Sequence, residues 1–548
     1  MQNSKNKLTT NKPRLKEFIV SLLLLLPILI FYFAQYNPPN DYIGTGFVHG
    51  DMLSYMANAR QHFDNENFSL IYSNPFNIDS NGPKIYFQIQ TLILGTVWHF
   101  TQIDVGVIFI GFGILFSFLA IYIALKLFKS YIGWGTKGHT ATFALLIYGG
   151  GLLIIGGFIY NYFQKFDFID AALKSQVFDP GGGYWMLNFG RNFVYSTEAY
   201  YHFLTISIVY LVLKNKQYAV SLVLFILSFS HPFYGIQFLL IILLYQFSEF
   251  FIFSKLKIKK RFIALNIIIL ALFGAYNGIY LSNFAEHKII IEQWSINWFM
   301  DSISIILAYL PVFILTFISF RNSEFKLFNN SFNRFLLIYF LISLALANHE
   351  LIMRPIQPIH FTHGHIYTPL FLLGAGVLVK FFNHNKWVLS SVIKSFVFLL
   401  LIFDNLTWFS DQSYININRE EQAVSIRIKQ PQLDLLNYID KHYDYTYLFV
   451  SENYELDYFA TAYTSVYSLV PHMFNTPYIN HRKQIYRDFY IQKKYEILKD
   501  YKVILSDDIF NNGINTDIRT NLKFKEIYRN KRYILYEVNN NESIFNNQ

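Results

Sequence analysis

Apolar runs long enough to cross a bilayer recur along the first 400 positions, beginning at 18–33. A spanning helix needs about 20 mostly apolar residues. On that criterion the windows predict helices near 18–35, 105–127, 140–160, 199–213, 217–231, 234–253, 262–281, 301–320, 335–348, 366–382 and 387–404, about eleven in all. His231-Pro232 falls between the fifth and the sixth, where a proline either separates two helices or kinks one. After Asp404 the pattern changes. Strand-like runs at 447–451, 502–506 and 533–538 alternate with helical stretches at 430–442 and 484–500. The expectation is a polytopic α-helical membrane domain over 1–404 and a soluble α/β domain over 405–548, with disorder at the Asn-rich end 539–548 and in the first ten residues.

Charge orients the helices. Basic residues gather at the N-terminus, at Lys126 and Lys129, Lys214 and Lys216, Lys255 to Arg261, Arg321 to Arg334, and Lys380 to Lys386, in alternate gaps between apolar runs. Positive loops mark the cytoplasmic side. The loops 37–104, 161–198, 282–300 and 349–365 then face outward, and an odd helix count places the C-terminal domain outside the membrane. Lys5, Lys7, Lys12, Arg14 and Lys16 precede the first apolar run as in a signal peptide, but no small-residue cleavage site follows, so a retained first helix is expected.

Composition agrees: 53% of residues are hydrophobic, 19% aromatic and 15% charged. The net charge of +9 is spread over short inter-helix clusters rather than one soluble face, so no nucleic-acid partner is expected. The absence of cysteine rules out disulfides and thiolate metal sites.

Candidate chemistry lies in the first outward loop. Asp51, Tyr55, Asn58 and His62 follow the spacing of one helix face, while Met52, Met56, Ala59 and Phe63 follow it on the neighbouring face. The segment reads as an amphipathic helix on the membrane surface, with one face toward lipid and the other toward substrate. Asp51, after His49-Gly50, fits two roles: a cap on free amides at the helix start, or a catalytic carboxylate.

The stretch from Asp51 through Tyr55 and Ala57, then Asn74-Pro75, then Gly82-Pro83-Lys84-Ile85-Tyr86-Phe87, resembles the first outward loop of the C-type glycosyltransferase superfamily, the GT-C fold. The topology resembles it too, across most of the chain. Met52 stands where many members carry Glu, and Gly82-Pro83-Lys84 replaces the usual Lys-Pro-Pro. The resemblance implies a transferase that moves a sugar from a polyprenyl-phosphate carrier to an acceptor at the outer membrane surface; direct attack by the acceptor would invert the anomeric carbon. A glycan, lipid or protein acceptor and a bacterial plasma membrane are the accompanying expectations. The resemblance also implies Asp51 as general base, and no cofactor is expected.

A lipid phosphate leaving group needs cationic or N–H donors. Arg354 and His360, in the loop that also carries His363 and His365, are the leading donor-phosphate candidates, with Arg191 and His231 behind them. Arg354 fits an interfacial anchor equally well. Tyr55, Asn58 and His62 are candidates for sugar or acceptor. Glu198 is a secondary candidate beside a span. No metal is expected, because no acidic residue follows Glu350 in the loop that holds His360, His363 and His365. The Asp179-Pro-Gly-Gly-Gly183 run lacks the Lys and Ser/Thr of a phosphate-binding loop and reads as a turn. Tyr184, Trp185, Trp294 and Trp298 suit a headgroup belt or sugar stacking. Arg482, Lys483 and Arg487 read as a solvated helix face, with contact to an acidic acceptor as the alternative. The rival functions are a transporter or flippase of lipid-linked glycans, a polymerase or ligase of surface polysaccharide, and a non-catalytic scaffold. A transporter should show paired repeats, broken helices or charged residues buried at mid-membrane, and the sequence displays none clearly.

Overall fold

The computed structural model describes residues 13–36, 42–48, 50–64, 68–164, 166–179, 185–253, 259–293, 300–323, 326–384, 389–418, 427–510 and 523–538. Lys5, Lys7, Lys12, His49, the turn residues 180–183, Tyr184, Lys255, Trp294, Trp298, Lys386 and the two Asn-rich ends lie outside them.

Every apolar window contains helix. Among the described residues six helices are long and apolar enough to cross a membrane: Leu15–Gln35, Val105–Tyr131, Pro232–Phe253, Lys260–Asn283, Ser302–Asn322 and Ser390–Tyr414. Their outer faces carry exposed Leu23, Ile30, Phe33, Phe313, Phe317 and Leu399, the surface a lipid solvent requires. The remaining windows hold Ser196–Leu213, Gln217–Ser228, Ser331–Ala347 and Tyr367–Asn383, which are shorter or more polar. His231-Pro232 separates two helices instead of kinking one. Pro232 opens the second, where its missing N–H costs nothing, and His231 Nδ1 accepts from Tyr234 N–H at 3.5 Å.

The 140–160 window is not one straight helix. Lys137–Tyr148 and Leu153–Phe163 meet at 67°, broken at Gly149-Gly150-Gly151. A helix start leaves amides unpaired, which is costly away from water. Here the carboxylate of fully buried Asp404 accepts from Leu153 and Ile154 N–H, each at 3.1 Å. Glu249 and Arg334 form a second buried pair, two-pronged. The chain thus contains a broken helix and buried charges that the hydropathy reading did not find.

The loop 37–104 folds back against the rest of the chain in its described residues. Strand β1 (Tyr42–Gly44) pairs antiparallel with β2 (Arg427–Lys429), which ties the loop to the chain beyond the last long helix. A 3-10 turn, Gly50–Met52, leads into the helix Leu53–Arg60. Met52, Met56 and Ala59 are 7%, 0% and 0% exposed, so this helix does not lie on the lipid surface as expected. Its apolar face packs on the helices Ile89–Thr101 and Tyr454–Tyr463. Close approach demands glycine at position 95, where a Cβ would stand 2.2 Å from the Ala59 carbonyl oxygen.

The C-terminal region holds a five-stranded sheet, order β4-β3-β5-β7-β6, from β3 (Tyr447–Ser451), β4 (Tyr467–Ser468), β5 (Lys502–Asp508), β6 (Phe524–Arg529) and β7 (Tyr533–Val538). β3 runs parallel to β4 and β5, and β7 antiparallel to β5 and β6. Parallel pairs need crossovers, supplied by the helices Tyr454–Tyr463 and Ile479–Tyr490. Two arginines join this region to the first loop. Arg60 bonds Asp64 (3.1 Å), Asp440 (2.9 Å) and the Tyr463 carbonyl (3.0 Å). Arg482, expected on a solvated face, is 5% exposed and donates to the Phe76 carbonyl at 2.8 Å. Its aliphatic stem and planar head suit burial against a backbone acceptor.

Candidate functional site

Between the first loop, the loop 349–366 and the C-terminal region lies a cavity of about 250 Å³. Asp51, Ser54, Tyr55 and Asn58 line it from the 50–60 segment, because positions 51, 55 and 58 share one helical face. Asn74, Phe76, Tyr72 and Tyr86 line it from the rest of the first loop; Trp185, His231, Phe233, Gln357 and His360 from the membrane side; and His472, Phe474 and Asn475 from the C-terminal region. Of the eight residues expected to act as base or to hold donor phosphate, sugar or acceptor (Asp51, Tyr55, Asn58, His62, Arg191, His231, Arg354 and His360), five meet here: Asp51, Tyr55, Asn58, His231 and His360.

The other three do not. His62 is fully buried behind the helix, with Nδ1 2.7 Å from the Ser69 carbonyl and Nε2 3.2 Å from Thr91 Oγ1. Arg191 is also fully buried, its guanidinium carbon 4.0 Å from the ring centres of both Trp185 and Tyr195. Its Nη1 donates to Asn192 Oδ1 at 2.8 Å, and its backbone N–H to Asn405 Oδ1 at 3.0 Å. Arg354 stands on an exposed tip among Leu351, Ile352 and Met353, whose exposures of 82%, 87% and 59% make an apolar rim around a cation.

Asp51 occupies the 3-10 turn, and the helix N-cap position falls to Met52, whose side chain bonds no amide. The Asp51 carbonyl accepts from Ser54 Oγ at 2.6 Å, and carboxylate Oδ1 lies 3.3 Å from His472 Nε2. The side chain is 48% exposed, open to the cavity. His472 has no sequence signal: it lies in a separate region with no motif linking it to Asp51. Asn74, part of the motif, donates from Nδ2 to the Asn475 carbonyl at 3.0 Å and fixes the same C-terminal segment.

On the membrane side, burial pushes the pKa of His360 well down, and the neighbouring His363 and His231 add to the effect. Burial also lowers His231, to about 4, against the pull of Glu198. Both rings are therefore neutral at pH 7 and offer one N–H each. Phe233 stacks on His360 at 4.8 Å, and Trp185 stacks on His363 at 4.9 Å. Behind them sits a network of Glu198, Tyr234 and His363. Tyr234 O–H donates to Glu198, and His363 Nδ1 is 3.1 Å from the same carboxylate. His365 Nδ1 is 2.6 Å from the Tyr339 hydroxyl. Gly364, at φ +80°, turns the chain so that these two histidines reach different partners. No Lys or Arg is among the described residues lining the cavity, and among the described residues no three His, Asp or Glu converge as metal ligands.

No family model matches the sequence, and no curated protein matches it. Solved structures similar to the chain include the oligosaccharyltransferase of Archaeoglobus fulgidus in apo form, with a TM-score of 0.45 and 11% identity over 90% of this chain and 69% of that one. The archaeal oligosaccharyltransferase AglB from the same organism, in complex with an inhibitory peptide and a dolichol-phosphate, gives 0.45 and 11% over 91% and 70%. The form tethered by a disulfide to an acceptor peptide containing the NVT sequon gives 0.44 and 10% over 90% and 69%.

Proposed function

We propose that the chain is a membrane glycosyltransferase of the C-type superfamily, moving a sugar from a polyprenyl-phosphate donor to an acceptor at the outer face of a bacterial plasma membrane. The observation that carries this reading is the cavity itself. One carboxylate, open to the space, faces neutral N–H donors across a pocket walled by Phe76, Trp185, Phe233 and Phe474. Asp51 takes the proton of the acceptor hydroxyl as its oxygen attacks the anomeric carbon. The bond from that carbon to the phosphate oxygen breaks, its electron pair leaves with the lipid phosphate, and the anomeric centre inverts. His231 and His360 donate N–H to the phosphate as charge grows there. Arg354, at its apolar tip, sits at headgroup depth and meets the donor's phosphate as it enters. Tyr55 and Asn58 hold sugar or acceptor hydroxyls.

In this account the four shorter or more polar helices also span, giving eleven crossings with the bent pair as one. The N-terminus is then cytoplasmic, and 405–548 is the extracytoplasmic domain that closes the cavity. Asp51→Asn in the purified, lipid-embedded chain should leave folding intact and cut transfer by roughly 10²- to 10⁴-fold; wild-type turnover in that variant would remove Asp51 from the role of base. Transport of a lipid-linked glycan is the second reading, favoured by the broken helix at Gly149–Gly151. Against it, Asp404 is committed to capping that helix and Glu249 to Arg334.

A further inference from the structure

The backbone around Tyr86, in the 82–87 element of the first loop, is bonded on both sides. Tyr72 and Tyr86 exchange both N–H···O bonds of an antiparallel bridge, at 2.9 and 3.0 Å. Tyr276, in the last turns of the helix Lys260–Asn283, accepts from the Phe87 N–H at 2.7 Å and donates to the Ile85 carbonyl at 3.1 Å through its one hydroxyl. The Tyr86 ring is thereby fixed against Tyr72 and His287, each with its ring centre 5.7 Å away. His287 comes from the helix Ala285–Gln293, where it shares a face with Ile290. Tyr72, Tyr86, His287 and Ile290 all line the cavity.

Two polar atoms of these lining residues are buried and have no hydrogen-bond partner among the described residues: the Tyr86 hydroxyl and His287 Nδ1. Tyr72 beside them commits its hydroxyl to Gln88 Oε1 at 2.9 Å. A buried hydroxyl or ring nitrogen without a partner destabilises a fold, so a fixed backbone that holds both at a cavity is organised for a ligand. Burial lowers the His287 pKa, and burial beside Glu286 raises that of Tyr86, so both groups are uncharged at pH 7. A phenol and a neutral imidazole each give one hydrogen bond and accept another, as the hydroxyls of a sugar do. A phosphate would bring charge to a wall without a cation, and a prenyl chain would leave both atoms unpaired.

We propose that Tyr86 and His287 form a saccharide subsite of the cavity, which holds hydroxyl groups of a sugar ring and so sets which sugar the chain takes. This rests on the reading of the cavity as a site of glycosyl transfer. A site built to bond a hydroxyl rejects the analogue that lacks it, and the aromatic faces of Tyr72 and Tyr86 suit the C–H face of the ring.

The test uses the full chain in lipid, wild type beside Tyr86→Phe and His287→Phe, and reads binding apart from turnover. Tyr86→Phe keeps the ring between Tyr72 and His287 and deletes only the unpaired hydroxyl, so its melting temperature should be no lower than the wild type's. Saturation-transfer NMR with free glucose, galactose, mannose and N-acetylglucosamine should show contact with at least one of them in the wild type. The dissociation constant of that sugar should rise about two- to tenfold in each variant, the factor that one uncharged hydrogen bond is worth. Binding of polyprenyl phosphate without a sugar should not change. A wild type that contacts none of these sugars, variants that bind them equally well, a lower melting temperature in Tyr86→Phe, or weakened polyprenyl phosphate binding would each overturn the proposal. In turnover, a raised KM for the lipid-linked donor places the pair on the transferred sugar, and a raised KM for the acceptor places it on the acceptor's sugar. A chain that binds sugar through this pair but transfers none refutes the transfer reading and leaves the subsite standing.

Discussion

For Asp51, local sequence allowed two roles, and the choice turns on where its carboxylate is directed. The N-cap position belongs to Met52, while the carboxylate opens to the cavity and faces His472. Its helical neighbours Tyr55 and Asn58 reach the same space because the spacing that aligned them in sequence survives folding. His62 shows the limit of that logic. The helix ends at Arg60, so two residues later the chain has turned away and His62 packs inside. Burial lowers its pKa below the unfolded value of about 6.5. Between those two values the unfolded chain binds more protons, so stability is full above the unfolded value and is lost as pH falls below it. Thermal unfolding should thus move to lower temperature between about pH 7 and pH 5, and His62→Gln should reduce that shift. An identical pH slope in the variant would assign the effect to other groups.

Among the elements, most helices were legible because a lipid-facing surface forces long apolar runs on the sequence. The bend after Tyr148 was hidden, since a hydropathy window averages across Gly149-Gly150-Gly151, and the carboxylate that makes the break tolerable lies far along the chain at Asp404. The loop 349–366 was legible as a histidine cluster but not as a network, because Glu198, Tyr234 and His363 come from three separate elements. Gly364 sets that loop. At φ +80° a side chain strains the backbone, and a Cβ would also stand 3.0 Å from Asn188 Oδ1. Gly364→Ala should lower stability by about 1–3 kcal/mol in detergent melts. An unchanged melting temperature would show that the turn tolerates a side chain and does not set the two histidines.

At the scale of the molecule, the site exists where the first loop and the C-terminal region close over the membrane helices. Sequence separated those regions by composition but held no sign that they share a cavity, since Arg60 and Arg482 resemble surface charges until their partners are known. Arg60→Ala would leave Asp64 buried beside an empty space and cut the link to Asp440 and Tyr463. A loss of about 3 kcal/mol is expected, read as earlier proteolytic release of the C-terminal region. Unchanged protease resistance would mean that the β1–β2 pairing and Arg482 carry the docking alone. In the proposed reaction a sugar leaves a lipid phosphate and joins an acceptor. The most direct measurement supplies the purified chain, in sealed vesicles, with a panel of polyprenyl-phosphate-linked sugars and membrane-extract acceptors, and follows the lipid and the sugar separately. Glycosyl transfer should release free polyprenyl phosphate in step with sugar appearing on an acceptor, its anomeric configuration inverted; lipid-linked sugar that crosses the bilayer with its phosphate bond intact would refute transfer.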